Sequence, residues 1–172
     1  MTQLLQTTAS FDGWNTPKPI LDCVVEVFGE IDLDPCSNDY SIVPARHKLD
    51  KTSNGLAASW HVYGRSNGTQ RTRVFCNPPY DVRTLTTTTD HVVAQFERYL
   101  THTITLVPSK TDQDWFHKSI ENAAAVCFIK RRVPFGKMGL FRGNGALACT
   151  AFYFGQQAAR FKEVFAKIGA CV

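Results

Sequence analysis

Residues 73 to 81 read RVFCNPPYD. Val74, Phe75 and Cys76 make an apolar run of strand length, and Pro78 and Pro79 end it abruptly, because proline has no N–H with which to continue a ladder. An asparagine stands just before the stop and a tyrosine just after it. The Asn77 side chain offers both an acceptor and a donor, and the Pro78 carbonyl is a second acceptor whose direction the next proline fixes. Two convergent acceptors are what an exocyclic amino group requires; holding both of its hydrogens leaves the nitrogen lone pair aimed at an electrophile. Tyr80 supplies a flat face on which an aromatic base can stack. The other reading is an ordinary strand-terminating turn, and four residues alone do not decide between the two.

Upstream of this run, Thr16 and Pro17 suit the N-cap and first position of a helix. Ile20, Val24, Val27 and Phe28 then recur at helical spacing until Gly29. Ile31-Asp32-Leu33 reads as a short strand running into Asp34-Pro35-Cys36-Ser37-Asn38. Downstream, a helix is expected over 86–100, a strand over 103–107, a helix over 112–124, strands over 125–129 and 148–154, and a closing helix over 157–168. Strands alternating with helices imply an α/β fold with a mostly parallel sheet covered by helices. In such sheets ligands lie beyond the carboxyl ends of the strands. The loops at 34–38 and 77–80 both follow strands directly and are expected to share that edge. Residues 39 to 72 are polar and irregular, with Gly55, Leu56 and Trp60 as anchors. The span from Asp34 to Asn77 is too short for two further strand–helix units, so the middle of the sheet is expected to be abbreviated. No shift in composition marks a boundary, and residues 1–172 are expected to form a single domain.

At 172 residues, with 44% hydrophobic and 20% charged side chains, the chain can bury a core without disulfide or metal staples. No apolar run has the length of a membrane span, and MTQLLQTTAS lacks the features of a signal peptide, so a cytoplasmic protein is expected. Six cysteines without CxxC spacing read as buried reduced thiols rather than zinc ligands or disulfides. The five histidines show no ligand spacing and no nucleophile partner. A net charge of +4 is modest, but it is unevenly placed. Arg65, Arg71 and Arg73 flank one polar loop, and Lys130, Arg131, Arg132, Lys137 and Arg142 crowd a second, so two basic loops could straddle a phosphate backbone. Solvated surface charge is the alternative. Asp32 and Asp34 share one strand face at period two, and Asp34, at the strand's end, is the one expected to function. Trp14, Trp60 and Trp115 read as core anchors, with Trp14 the one best placed to meet a ligand.

The ordered set WNTP, DLDPCS, GLAASW, VFCNPPY, LVPSKTDQDWFH and IKRRVPF resembles the phage-type, Dam-like DNA N6-adenine methyltransferases, over roughly residues 11 to 154. The resemblance implies a Rossmann-like class I methyltransferase domain that uses S-adenosylmethionine, acts on double-stranded DNA and is encoded by a phage or prophage, where methylation protects DNA from restriction or serves regulation. It implies that Trp14, Thr16, Pro17, Asp34, Pro35, Cys36 and Asn54 line the cofactor pocket. Asn77, Pro78, Pro79 and Tyr80 would hold a flipped adenine so that N6 attacks the methyl carbon, without a metal or a covalent enzyme intermediate. Arg71, Arg73, Arg131, Arg132 and Lys137 are the expected DNA contacts, with Phe135 near the flipped base. No obligate protein partner is implied.

The sequence departs from larger relatives in having Cys36-Ser37-Asn38 where they carry a glycine-rich turn, and in having Asn54 where an acidic residue is usual. Two alternatives stand beside the main reading. NPPY also serves N-methyltransferases acting on RNA or on a protein glutamine, and a DNA-binding relative could keep the fold without catalysis.

Overall fold

The computed structural model describes residues 14–64, 71–137, 140–141 and 147–172, with residues 137, 140 and 141 described by backbone alone. Among the described residues seven strands form one sheet: β2 (Ile31–Asp34), β3 (Ala45–Lys48), β4 (Arg73–Cys76), β5 (His102–Pro108), β6 (Ala125–Ile129), β9 (Cys149–Phe154) and β10 (Gly169–Cys171), in the spatial order β10-β6-β9-β5-β4-β2-β3. A small second sheet joins β1 (Trp14–Asn15), β7 (Gly136–Lys137) and β8 (Leu140–Phe141).

The main sheet is mixed, which corrects the expectation of a mostly parallel one. β3, β2, β4 and β5 pair in parallel, whereas β9 is antiparallel to both of its neighbours, β5 and β6, and β10 is antiparallel to β6. A parallel neighbour needs a crossover, usually helical. Between β6 and β9 the described residues hold only the short strands β7 and β8, so the chain turns back at the edge where β6 ended and re-enters the sheet in reverse. Five strands therefore point one way, and the carboxyl ends of β2, β4, β5 and β6 share one edge.

Helices cover both faces. α1 (Lys18–Phe28) and α4 (Ala158–Phe165) pack on one, where Val24, Phe161 and Phe165 meet the sheet residues Phe75, Ile104 and Tyr153. α2 (Val82–Tyr99) and α3 (Asp114–Asn122) pack on the other, with Leu85, Val92 and Phe116 against Leu33, Val74 and Phe152. α2 starts four residues before the expected position because Asp81 caps it, its carboxylate accepting from the Thr84 N–H. Within α2, Thr86, Thr87 and Thr88 donate their hydroxyls to carbonyls four residues back, so the hydroxyls of the threonine run are satisfied within the helix itself. α1 ends at Gly29, whose φ of 76° few other residues tolerate.

The segment between β2 and β4 is short, as expected, and holds one edge strand and a 3-10 turn at Trp60–Tyr63 among its described residues. Trp60 is fully buried; its indole N–H donates to the Gly55 carbonyl at 2.8 Å and its backbone N–H to Gln95 Oε1. That pins the turn 50–57 down onto the end of β2. A Cβ at position 55 would overlap the Pro35 carbonyl, so only glycine lets the two loops approach this closely.

Candidate active site

Asn77 leaves the sheet at the carboxyl end of β4, and its carboxamide is held at both polar atoms. Nδ2 donates to Thr16 Oγ1 at 3.2 Å, and Oδ1 accepts from the Tyr80 hydroxyl at 2.7 Å. Thr16 was expected to cap α1. Pro17 occupies that place instead, its carbonyl accepting from the Ile20 and Leu21 N–H groups, which leaves the Thr16 hydroxyl free to meet Asn77. The Tyr80 phenol lies within 3.5 Å of the Leu106 carbonyl, and its ring meets Phe135 edge-on with centroids 5.6 Å apart. Burial, with the neighbouring Cys149 thiol adding to it, holds the Tyr80 hydroxyl protonated well above the usual phenol range. It is therefore a standing donor that fixes the amide plane, while Asn77 Oδ1 keeps a second lone pair for an incoming N–H.

In front of this clamp lies a cavity of about 650 Å³. Asn77, Pro78, Pro79 and Tyr80 form one wall, Pro35 and Cys36 a second, and the turn carrying Asp50, Lys51 and Asn54 a third. Trp14 and Phe135 close the side, their rings 6.5 Å apart. A smaller recess behind shares Trp14, Cys36 and Asn77 with it and adds Thr16 and Asp34. The cavity thus lies at the carboxyl edge of parallel strands, where α/β sheets hold ligands.

Asp34 is buried, its Oδ1 accepting from the Cys36 N–H at 3.1 Å and its Oδ2 from the Ser41 hydroxyl at 3.2 Å. Burial outweighs these bonds and pushes its pKa up to about 6. The folded chain therefore prefers the protonated acid more than the unfolded chain does. The contribution is complete at pH below about 3.8, is lost as pH rises through about 6, and corresponds to about 3 kcal/mol in all. Asp34→Asn keeps the shape and removes the charge. In denaturant titrations its stability relative to the native chain is expected to be near zero at pH 4 and to rise by about 3 kcal/mol by pH 7. A flat difference across that range would contradict the assignment.

Most of the residues expected around a ligand are brought together: Trp14, Thr16, Asp34, Pro35, Cys36, Asn54 and Asn77 through Tyr80 all line the cavity or its recess. Pro17 lines neither and caps α1. Asn54 is exposed at the rim with φ 45°, a conformation that asparagine tolerates better than most. Asp50 and Lys51 were missed. The readable signal was Asp50-x-Thr52-Ser53, whose hydroxyls and N–H groups all turn onto Asp50 Oδ1 and hold its pKa down at about 2.

The basic residues divide sharply. Arg131 and Arg132 are exposed on the turn leaving β6, on the cavity's edge of the sheet and a few residues before Phe135. Arg131 has φ 73°, left-handed backbone that a non-glycine residue adopts only where the surroundings impose it. Lys137 lies in β7 opposite Trp14. Arg71 and Arg73 stand at the opposite edge, where β4 begins, and residues 65–70, with Arg65, lie outside the described residues, as does Arg142. Arg73 is a correction. It is buried, with Nε and Nη2 on the two Asp32 oxygens at 2.8 Å, Nη2 also on Glu30 at 2.7 Å, and Nη1 on the Phe28 carbonyl. A guanidinium so fully bonded to the protein interior is not presented to phosphate.

No helix among the described residues is long and apolar enough to cross a membrane. The model of a family described as DNA N-6-adenine-methyltransferase (Dam) matches residues 5–150 of the chain. No curated protein matches it.

Proposed function

We propose that this chain, which belongs to the DNA N-6-adenine-methyltransferase (Dam) family, transfers the methyl group of S-adenosylmethionine to N6 of adenine in double-stranded DNA. The observation that carries the reading is the Asn77 carboxamide, clamped between Thr16 and Tyr80 at the wall of a 650 Å³ cavity. Asn77 Oδ1 and the Pro78 carbonyl accept the two N6 hydrogens, which turns the nitrogen lone pair out of the ring and toward the cavity. The Tyr80 ring stacks on the flipped base, with Phe135 setting its tilt. No strong base is needed, because the proton leaves once the nitrogen has gained the methyl group and become acidic.

The cofactor supplies an electrophilic methyl on a sulfonium cation. Asp39 and Asp50 outnumber Lys51 among the charged residues lining the cavity, and Asp34 adds a carboxyl in the recess behind, a balance that suits a cationic ligand. Such a ligand stabilises ionised Asp34 and draws its pKa back down. Trp14 and Pro35 offer apolar surface to an adenosine, and Asn54 a hydrogen-bonding edge. Arg131 and Arg132 contact DNA phosphates beside the flipped base, positioning the duplex without reading its sequence.

Tyr80→Phe keeps the stacking face and removes the 2.7 Å bond to Asn77. It is expected to lower kcat about tenfold with little change in KM, the worth of one orienting hydrogen bond. Equal kcat in the two proteins would show that Asn77 needs no holding. The substrate class is tested by offering methyl-labelled S-adenosylmethionine with duplex DNA, a structured RNA or a glutamine-containing peptide. Label in DNA alone is expected; label in RNA or peptide and not in DNA would overturn the reading.

A further inference from the structure

Of the six cysteines, all free, two stand apart by position. Cys36 follows the Asp34-Pro35 corner and lines both the main cavity and its recess, and Cys76 is the residue immediately before Asn77. Their sulfurs are 3.8 Å apart across the carboxyl ends of the neighbouring strands β2 and β4. Cys36 is half-buried and opens on the cavity, while Cys76 is wholly enclosed. Neither thiol has a part in moving a methyl group. A surface-accessible sulfur with a second one behind it, within reach, is the arrangement of an attacking and a resolving cysteine.

We infer that Cys36 is a thiol-modification site for small disulfides entering the cavity, with Cys76 as its resolving partner. The Cys36 thiolate attacks one sulfur of a small disulfide RSSR; the S–S bond breaks and RS⁻ departs, leaving a mixed disulfide on Cys36. The Cys76 sulfur then gives up its proton to the departed thiolate and attacks Cys36 Sγ, expelling the second RS⁻, which takes a proton from solvent. Two protein thiols are oxidised and RSSR is reduced to two RSH. The contact distance has to close from 3.8 Å to about 2.05 Å, which draws the Cys36 corner against β4. Cys36 N–H is bonded to Asp34 and the adjoining Ser37 N–H to the Leu49 carbonyl, so the cavity wall shifts with it, and so does the backbone that aims Asn77. Contact with the Cys36 thiol, and after it burial, holds Cys76 protonated well above its ordinary range; the second step therefore quickens as pH rises.

The native chain is treated with oxidised glutathione at pH 7 and pH 8.5, with and without S-adenosylmethionine, then digested without reduction and weighed. A peptide linking Cys36 to Cys76 is expected, forming faster at the higher pH. Methyl transfer should fall at least tenfold in the linked protein and return with dithiothreitol. Cys76→Ser should stop at a glutathione adduct on Cys36, and Cys36→Ser should give neither adduct nor link. Saturating S-adenosylmethionine should slow the first step; that arm and the presence of methyl transfer in the unlinked chain rest on the functional reading above, and the failure of either with the link intact would count against that reading and not against the cysteine pair. A lasting glutathione adduct on Cys36 of the native chain with no link, a link through other cysteines, or full activity in the linked protein would overturn the inference.

Discussion

Asn77→Ala is expected to lower kcat for methyl transfer by about 10² to 10³, with the cofactor dissociation constant unchanged within about threefold. Alanine removes the acceptor that the amino group would meet, and it removes nothing the core depends on, because Asn77 is only half-buried and its two bonds go to Thr16 and Tyr80. Single-turnover kinetics with calorimetric cofactor binding separates the two effects. Loss of both together would place Asn77 in the cofactor site alone. Retained methyl transfer would reduce the NPPY segment to the strand-terminating turn that the sequence also allowed.

Arg73→Ala is expected to cost about 3–5 kcal/mol of stability, because it strands Asp32 as an uncompensated buried carboxylate. That is a large part of the roughly 5–15 kcal/mol that holds a typical domain together. Arg46, 3.6 Å from Asp32 and partly exposed, recovers only a fraction. The urea midpoint should fall sharply in Arg73→Ala and stay within about 0.5 kcal/mol of the native value in Arg71→Ala, whose side chain is exposed and meets the Tyr99 carbonyl at 3.4 Å. Unchanged stability with weakened DNA binding in Arg73→Ala would restore it to the phosphate-contacting set.

These two residues lie four positions apart, one at the start of β4 and the other just past its end, and the sequence treated them unequally. Asn77 was legible because its meaning is local: an apolar run, an amide, two prolines and a ring in succession allow few uses. Arg73 was not, because its partners, Asp32 and Glu30, lie more than forty residues away, and a guanidinium reads the same in sequence whether it faces water or a buried carboxylate. The helices and most of the main strands were recoverable from apolar spacing, since each buries one stripe or one run. β3 escaped notice because Ala-Arg-His-Lys at a sheet edge is largely exposed, and β10 because three residues carry no period. The direction of β9 could have been read from the absence of any helical pattern between Ile129 and Cys149. Alternation elsewhere concealed it. Around the cavity, the strand-end residues were visible, while Asp50 and Lys51 come from an irregular turn brought in by the buried Trp60 and the close contact of Gly55 with Pro35.

The most direct measurement is of the product nucleoside. Duplex DNA is incubated with the native chain and with Asn77→Ala in the presence of methyl-labelled S-adenosylmethionine, digested to nucleosides and separated. The native chain should place its label in N6-methyldeoxyadenosine, and Asn77→Ala should leave that peak at least a hundredfold smaller. Label in a methylated cytosine, or an equal adenine peak from both proteins, would contradict the assignment of Asn77 as the group that holds the adenine amine.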